Sequence, residues 1–239
     1  EWFLRAYDDA GKRIGSASCE EGRIFIEPQG FCAMAGIGRE EGLPRRALDS
    51  VSALLATEHG IVLLDPPYSR YRPGLGEISS YPPGYKENGG IFCHNNPWIV
   101  IAEARDGNPE AAFSYYSRTC PAYREEKSEL HKMEPYAYSQ MIAGKASQKP
   151  GEAKNSWLTG TAAWNFVAIS QWILGVRPDF DGLLVDPVLP RGIPQLCIVR
   201  RFRGCVYRIS MRRIGEGKNS ALTVNGKRIE SKLIPPGPL

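Results

Sequence analysis

Apolar residues recur at roughly helical spacing over residues 29–37 and 44–58, and a glycine, Gly38 or Gly60, closes each run, so both stretches predict helices. Residues 97–104, 109–118, 135–142 and 160–174 repeat the pattern between polar or Gly-Pro-rich loops. Several carry proline at or near the first turn, where a helix tolerates it. Ahead of them, residues 2–7 and 23–27 read as short extended segments, with turn chemistry at Asp8-Asp-Ala-Gly11. After Arg177-Pro178 the period changes to two. Leu183-Leu-Val-Asp, Leu196-Cys-Ile-Val-Arg-Arg-Phe, Val206-Tyr-Arg-Ile-Ser-Met and Ala221-Leu-Thr-Val-Asn-Gly alternate as strands do, and Asn225-Gly226 is a strong hairpin signal. The expected fold class is mainly α followed by β, with residues 1–178 forming a helical layer and 179–239 an antiparallel β domain.

Composition supports a folded chain without naming a partner. With 239 residues, 42% apolar and 23% charged, a real core can be buried. The 30 Lys and Arg against 26 Asp and Glu give +4, too mild an excess to predict nucleic-acid binding. The basic cluster at Arg200, Arg201, Arg203, Arg208, Arg212 and Arg213 alternates along predicted strands and reads as a solvated face. Six cysteines show no CxxC pair and no metal-like spacing with the three histidines, so reduced thiols in a cytoplasmic protein are expected, with no metal site. No apolar run approaches the ~18 residues of a membrane span. The chain opens on Glu1-Trp-Phe-Leu-Arg, a strand entering a turn with no initiator Met, which reads as the middle of something larger.

Two polar loops stand out. Residues 63–90 are too long and too rich in Pro, Gly and Tyr for an ordinary connector, which favours a functional loop. Its end, Tyr81-Pro-Pro-Gly-Tyr-Lys-Glu-Asn-Gly-Gly-Ile-Phe-Cys-His94, precedes an apolar helix. Ala153-Lys-Asn-Ser-Trp-Leu-Thr159-Gly160 repeats the design, a hydroxyl and a glycine opening an apolar helix. Two helix starts bearing polar loops suit one shared anion site.

Tyr81-Pro-Pro-Gly-Tyr-Lys-Glu-Asn-Gly-Gly, Glu134-Pro-Tyr, Gly151-Glu-Ala-Lys-Asn-Ser-Trp-Leu-Thr-Gly-Thr-Ala-Ala-Trp, Ile173-Leu-Gly-Val-Arg-Pro and Arg200-Arg-Phe-Arg-Gly together resemble glycoside hydrolase family 94, the cellobiose and chitobiose phosphorylases. The resemblance runs from about residue 1 to about residue 213. It implies the C-terminal part of an (α/α)6 barrel followed by a small antiparallel β-sandwich module. The family's general acid, an aspartate in an Asp-Trp-Asn-Asp type motif, and its phosphate-binding arginines would then lie upstream, so no catalytic acid is expected here. The implied reaction is inverting phosphorolysis of a β-linked disaccharide, in which inorganic phosphate replaces the activated water of an inverting hydrolase. Phosphate is a co-substrate, and no metal or organic cofactor is implied. The full-length family protein is usually a homodimer.

By the same resemblance, His94, Thr159 and Gly160 would bind phosphate. An imidazole N–H, a hydroxyl and a free backbone amide are all donors to an anion, and phosphate beside His94 would favour its charged form. Glu77, Tyr81, Lys86 and Glu87 would line the acceptor-sugar site. Plainer roles stand beside these: His94 bracing its helix, Thr159 as an N-cap, Gly160 as a turn residue, and Lys86 with Glu87 as a solvated ion pair. Tyr81 favours cellobiose, because a smaller residue there would leave room for an N-acetyl group. Most of Trp98, Tyr115, Tyr116, Trp157, Trp164 and Trp172 read as core, with Trp157 the one suspected of supporting the phosphate loop. Asp8 and Asp9 read as turn residues. The competing readings are an N,N'-diacetylchitobiose phosphorylase, a non-catalytic carbohydrate-binding or scaffold piece, and a hydrolase on the same barrel, for which no second carboxylate stands out.

Overall fold

Helices form where the apolar spacing predicted them, with one exception. A computed structural model describes residues 1–215 and 221–236. Helix α1 (Ile26–Ala35) ends at Gly36, whose φ of 75° is the left-handed turn that lets its N–H return to Ala33. Helix α2 (Leu43–Ser50) runs on into a π-helical turn, Val51–Leu55. Helices α3 (Asn96–Arg105) and α4 (Pro109–Thr119) follow, and Asn108 caps α4 by accepting the Ala111 N–H. A short α5 (Ser128–His131) precedes α6 (Thr161–Val167), which continues as the π-helical Ala168–Ile173. Every residue of α3 from Asn96 to Ala104 is buried, because α1 and α4 pack on two of its sides and the π-helical segment after α6 on another. This explains why α3 is largely apolar on every side rather than amphipathic.

Strands interleave with these helices. Two-residue strands β1 (Ala6–Tyr7), β2 (Arg13–Ile14), β3 (Ile24–Phe25), β4 (Ala56–Thr57), β5 (Gly60–Ile61) and β6 (Leu64–Asp65) pair antiparallel as β1 with β2, β3 with β6, and β4 with β5. Strands β7 (Ile91–Phe92), β8 (Ser139–Ile142) and β9 (Ala153–Ser156) form an antiparallel sheet with β8 in the middle. Further on, β10 (Val176–Asp179) and β11 (Gly182–Val185) pair with each other, and β12 (Gln195–Phe202) with β13 (Cys205–Arg212). The Asn225-Gly226 hairpin joins β14 (Leu222–Val224) to β15 (Lys227–Ile229), and β16 (Leu233–Ile234) completes the β10-β11 sheet. The arginines alternate as expected, with Arg201, Arg208 and Arg212 exposed.

Two expectations change. Residues 135–142 are not a helix: a turn leads into β8, because β7 and β9 supply partners on both edges, and a short apolar run cannot choose between helix and strand by itself. Nor is the chain simply α followed by β. It is mixed α/β, with four small antiparallel sheets already present before β10. One core cluster gathers Phe25, Leu48, Leu55, Ile91, Ile99 and Ile173 among others, and a second gathers Val176, Leu183, Val185, Leu189, Met211 and Ile234. Parts of the expected β domain, residues 216–220 and 237–239, lie outside the described residues. Among the described residues, no helix is long and apolar enough to cross a membrane.

A buried ion network fixes α2 against α3. Arg45 donates to both Glu103 carboxylate oxygens at 2.9 and 3.2 Å and to Asp106 at 3.0 Å, while Asn108 also donates to Glu103. Glu103 is 1% exposed, so it depends on these donors. Arg45→Met should therefore lower the urea-unfolding free energy by about 3 kcal/mol, the low end for a broken buried pair because Arg45 is itself partly exposed. Asp49→Asn, at an exposed pair on the same arginine, should cost under about 1 kcal/mol. Equal effects would contradict this assignment.

Candidate functional site

Residues 81–90 form a tightly pinned loop. The Asn88 side chain, fully buried, accepts the Tyr68 N–H at 2.7 Å and donates to the carbonyls of Tyr68 and Tyr81 at 2.9 and 2.7 Å. Gly84 packs so closely on Ser147 that a Cβ there would lie 2.3 Å from the Ser147 nitrogen, which is why only glycine fits. Lys86 sits at φ 47°, a conformation lysine rarely adopts. Its ammonium donates to Gln140 Oε1 at 2.7 Å and its backbone N–H meets Met141 Sδ at 3.3 Å.

Lys86 and Glu87 do not pair with each other, so the solvated-pair reading fails. Lys86 turns to Gln140 on β8, whereas Glu87 buries one carboxylate oxygen without a partner among the described residues. The charge of Glu87 is felt by His94 and by Glu27. Glu27, in the first turn of α1, likewise holds one buried, unpartnered oxygen, and its other oxygen lies 3.5 Å from Arg5. Burial pushes the Glu27 carboxyl above its ordinary range, Arg5 opposes this, and Glu87 adds to it. Sequence reasoning missed Glu27, since an acidic residue in a first helical turn is ordinary.

His94 stands half-buried between aromatic rings, 4.8 Å from Phe92 and 5.5 Å from Trp98. Its helix has no side-chain cap, so His94 braces α3 through ring contact only, and no described residue hydrogen-bonds its ring nitrogens. Burial holds its pKa below the usual value while Glu87 pulls the other way, so the charged form is disfavoured without an added anion.

The second loop reaches the same strand. Asn155 (φ 56°) and Trp157 (φ 69°) both lie in the left-handed region, and the Asn155 amide donates to Gln140 Oε1 at 3.0 Å. Trp157 is 64% exposed, unlike buried Trp98 and Tyr115, and its indole donates to Glu134 at 3.3 Å. Thr159 Oγ accepts the Thr161 N–H at 3.1 Å and lies 2.5 Å from Thr161 Oγ, which donates to the Ser139 carbonyl. Thr159 is thus engaged as a local cap, and its proton points to Thr161. Donating to a ligand requires it to exchange that partner. Gly160 is exposed with φ −82°, a conformation any residue adopts, and its N–H donates to no described residue. A Cβ there would meet nothing within 4 Å, so space beside this amide is open.

Lys86, His94 and Thr159 are joined through β8. Gln140 holds Lys86. The Cys93 N–H, next to His94, donates to the Gln140 carbonyl at 2.9 Å, and the Cys93 thiol lies 3.4 Å from Ser139 Oγ. Ser139 in turn accepts from Thr161, which holds Thr159. Burial pushes the Cys93 thiol up to about 12, so it is a packing group and not a nucleophile. Tyr81 joins through Asn88. Glu77 does not join: it lies exposed on a 3-10 segment, where its carboxylate accepts a local bond from Ser80. Asp8 accepts the N–H groups of Ala10 and Lys12, as a turn residue does.

Sequence comparison identifies the class of protein. Residues 1–175 match the glycosyl hydrolase 94 superfamily catalytic domain, and the chain belongs to that family. It is 34% identical over 237 residues to the N,N'-diacetylchitobiose phosphorylase of Vibrio proteolyticus, covering 98% of this chain and 29% of that protein. It is 32% identical over 237 residues to the solabiose phosphorylase of Paenibacillus borealis, covering 98% of the chain and 31% of that protein. The cyclic beta-(1,2)-glucan synthase NdvB of Rhizobium meliloti (strain 1021) is 34% identical over 230 residues, 94% of the chain and 8% of that protein. The chain therefore spans under a third of the length of these relatives.

Burial depresses His59 and His131 as well as His94, with Arg124 adding to the depression at the first two. The unfolded chain then binds protons first as the pH falls through about 6.5. Stability should be level between about pH 7 and pH 8 and fall between about pH 7 and pH 5; Glu27, shifted upward, acts oppositely but is one group against three. Urea unfolding across that range measures it, and a flat profile would contradict the buried neutral histidines.

Proposed function

We propose that this chain is the phosphate-binding and acceptor-sugar part of an inverting disaccharide phosphorylase, a glycosyltransferase that cleaves a β-linked disaccharide with inorganic phosphate to give an α-sugar 1-phosphate and a free sugar. The observation that supports the reading is the pairing of β7 and β9 on the two edges of one strand, β8: the loop after β7 carries an imidazole that no described residue hydrogen-bonds, and the loop after β9 carries a hydroxyl and an open backbone amide. His94, Thr159 and Gly160 are its phosphate donors, and Tyr81, Lys86 and Glu87 its sugar-facing residues. Glu77 is kept with the sugar site on the family resemblance alone.

Phosphate needs no base, because it arrives as an anionic nucleophile. The protein's task on this side is to hold it in line with the anomeric carbon. A phosphate dianion beside His94 opposes the burial that keeps the ring neutral, so binding draws a proton onto it. By the family resemblance, protonation of the leaving sugar oxygen falls to an aspartate outside this chain, which covers only 29% and 31% of the two phosphorylases above. On this reading residues 1–178 complete an (α/α)6 barrel, residues 179–239 form a β-sandwich module, and the whole protein works in the cytoplasm as a homodimer.

The sugar has two readings. By the family resemblance, Tyr81 stands where a smaller residue would admit an N-acetyl group, which favours a glucosyl disaccharide such as cellobiose. The 34% identity to an N,N'-diacetylchitobiose phosphorylase favours the acetylated one.

The protein that carries this chain should release sugar 1-phosphate from one of a panel of β-linked disaccharides only when phosphate is present. His94→Ala and Thr159→Ala should each raise the phosphate KM by about tenfold or more, as loss of a hydrogen bond to a charged group does. Hydrolysis without phosphate, or unchanged phosphate KM in both variants, would refute the reading.

A further inference from the structure

The Glu134-Pro-Tyr motif has no part in the phosphate and acceptor-sugar sets, yet the fold brings it to their edge. Tyr136 lies in the turn that enters β8, and Trp157 directly follows β9. Because Ser139 pairs with Ser156, both rings stand just beyond the same end of one ladder. Their centroids are 6.0 Å apart and their planes tilt by 52°, an open trough rather than a stack. Tyr136 is 72% exposed and Trp157 64%, and among the described residues no other contacting ring pair has both members exposed, so core packing does not account for them. The Trp157 indole donates to Glu134 at 3.3 Å, and its backbone sits at φ 69°, which bulky residues rarely adopt. A strained backbone that keeps an indole in water instead of burying it points to function.

We propose that Tyr136, Trp157 and Glu134 form a binding site for one pyranose of a β-linked oligosaccharide, beyond the units held by the phosphate and acceptor residues. In β-linked glucose or N-acetylglucosamine every ring substituent is equatorial. Each face of the ring therefore presents C–H groups that stack on an aromatic face, while the hydroxyls radiate from its edge. The trough supplies the aromatic faces, and Glu134 supplies acceptors for the edge hydroxyls. The Glu134 backbone N–H, the indole and Ser156 hold this carboxyl below its ordinary range, so it is ionised at neutral pH. The site adjoins the phosphate-facing loop, because the Trp157 carbonyl accepts the Thr159 N–H at 3.0 Å. The choice of a β-linked sugar rests on the functional reading above, whereas the exposed pair does not.

The test uses the protein that carries this chain, in phosphate-free buffer, with calorimetric Kd values for two probe sets. One set is cellobiose against cellotetraose, the other N,N'-diacetylchitobiose against the corresponding chitin tetrasaccharide. In one set the tetrasaccharide should bind about fivefold or more tightly than its disaccharide, as one added aromatic contact allows. Tyr136→Ala and Trp157→Ala should each abolish that advantage. Tyr136→Ala should also leave the disaccharide Kd and the phosphate KM within about twofold of the unaltered values. Should Trp157→Ala fail to fold, Tyr136→Ala, whose ring is mostly in water, decides alone. Tetrasaccharides that bind no better than disaccharides in both sets, or an advantage that survives Tyr136→Ala, would overturn the inference. Trp157 fluorescence, taken as the difference from Trp157→Phe, should be quenched by acrylamide. A ring that acrylamide cannot reach is covered by the remainder of the protein, and the inference then fails. If the unaltered protein releases no sugar 1-phosphate from any disaccharide, the functional reading fails, and tetrasaccharide binding still decides this site. Phosphorolysis that proceeds while neither variant alters tetrasaccharide binding sinks this inference alone.

Discussion

The strand Ser139–Ile142 is the constraint on which the rest of the candidate site depends. A central strand must satisfy backbone donors and acceptors on both edges, and here β7 and β9 do so. Those two neighbours are the stems of the two polar loops. Pairing them to one strand fixes their separation to about twice the interstrand spacing of ~4.8 Å, which suits groups that must reach one small anion. Without β8, the loops before α3 and before α6 would be tied only through helix packing.

Side chains on β8 then do what the ladder cannot. The Ser139 hydroxyl reaches the Cys93 thiol and Gln140 reaches Lys86 and Asn155, while the Ser139 main-chain carbonyl accepts from Thr161. Polar groups at this depth are costly unless bonded, so each of these contacts also holds the strand in register. The orphaned oxygens of Glu27 and Glu87 stand apart from that order. Each is a buried acceptor with no described donor, and the charge of Glu87 is felt by His94.

Much of this was legible in the sequence, and the failures have physical causes. Helices α1, α3 and α4 were readable because apolar spacing and a proline in the first turn agree. The two polar loops announced themselves through glycine, proline and hydroxyl punctuation. Residues 135–142 misled because their strand exists only through partners some fifty residues upstream and a dozen downstream, and local pattern carries no trace of either. Gln140 was invisible for the same reason: its role lies in which donors reach it, and Lys86 and Asn155 are far apart in the chain. The adjacency of Lys86 and Glu87 suggested a pair, yet the tight turn at φ 47° sends the two side chains to different neighbours. Glu77, placed with the sugar residues by its motif, sits exposed on its own segment.

The central claim is that two loops hold one oxyanion between them. A crystal structure of the protein that carries this chain, soaked with phosphate, tests it most directly. The account predicts a single phosphate within hydrogen-bond distance of a His94 ring nitrogen and of the Thr159 hydroxyl, with that hydroxyl turned away from Thr161. A phosphate contacting only one of the two residues, or bound elsewhere while this place stays empty, would contradict it.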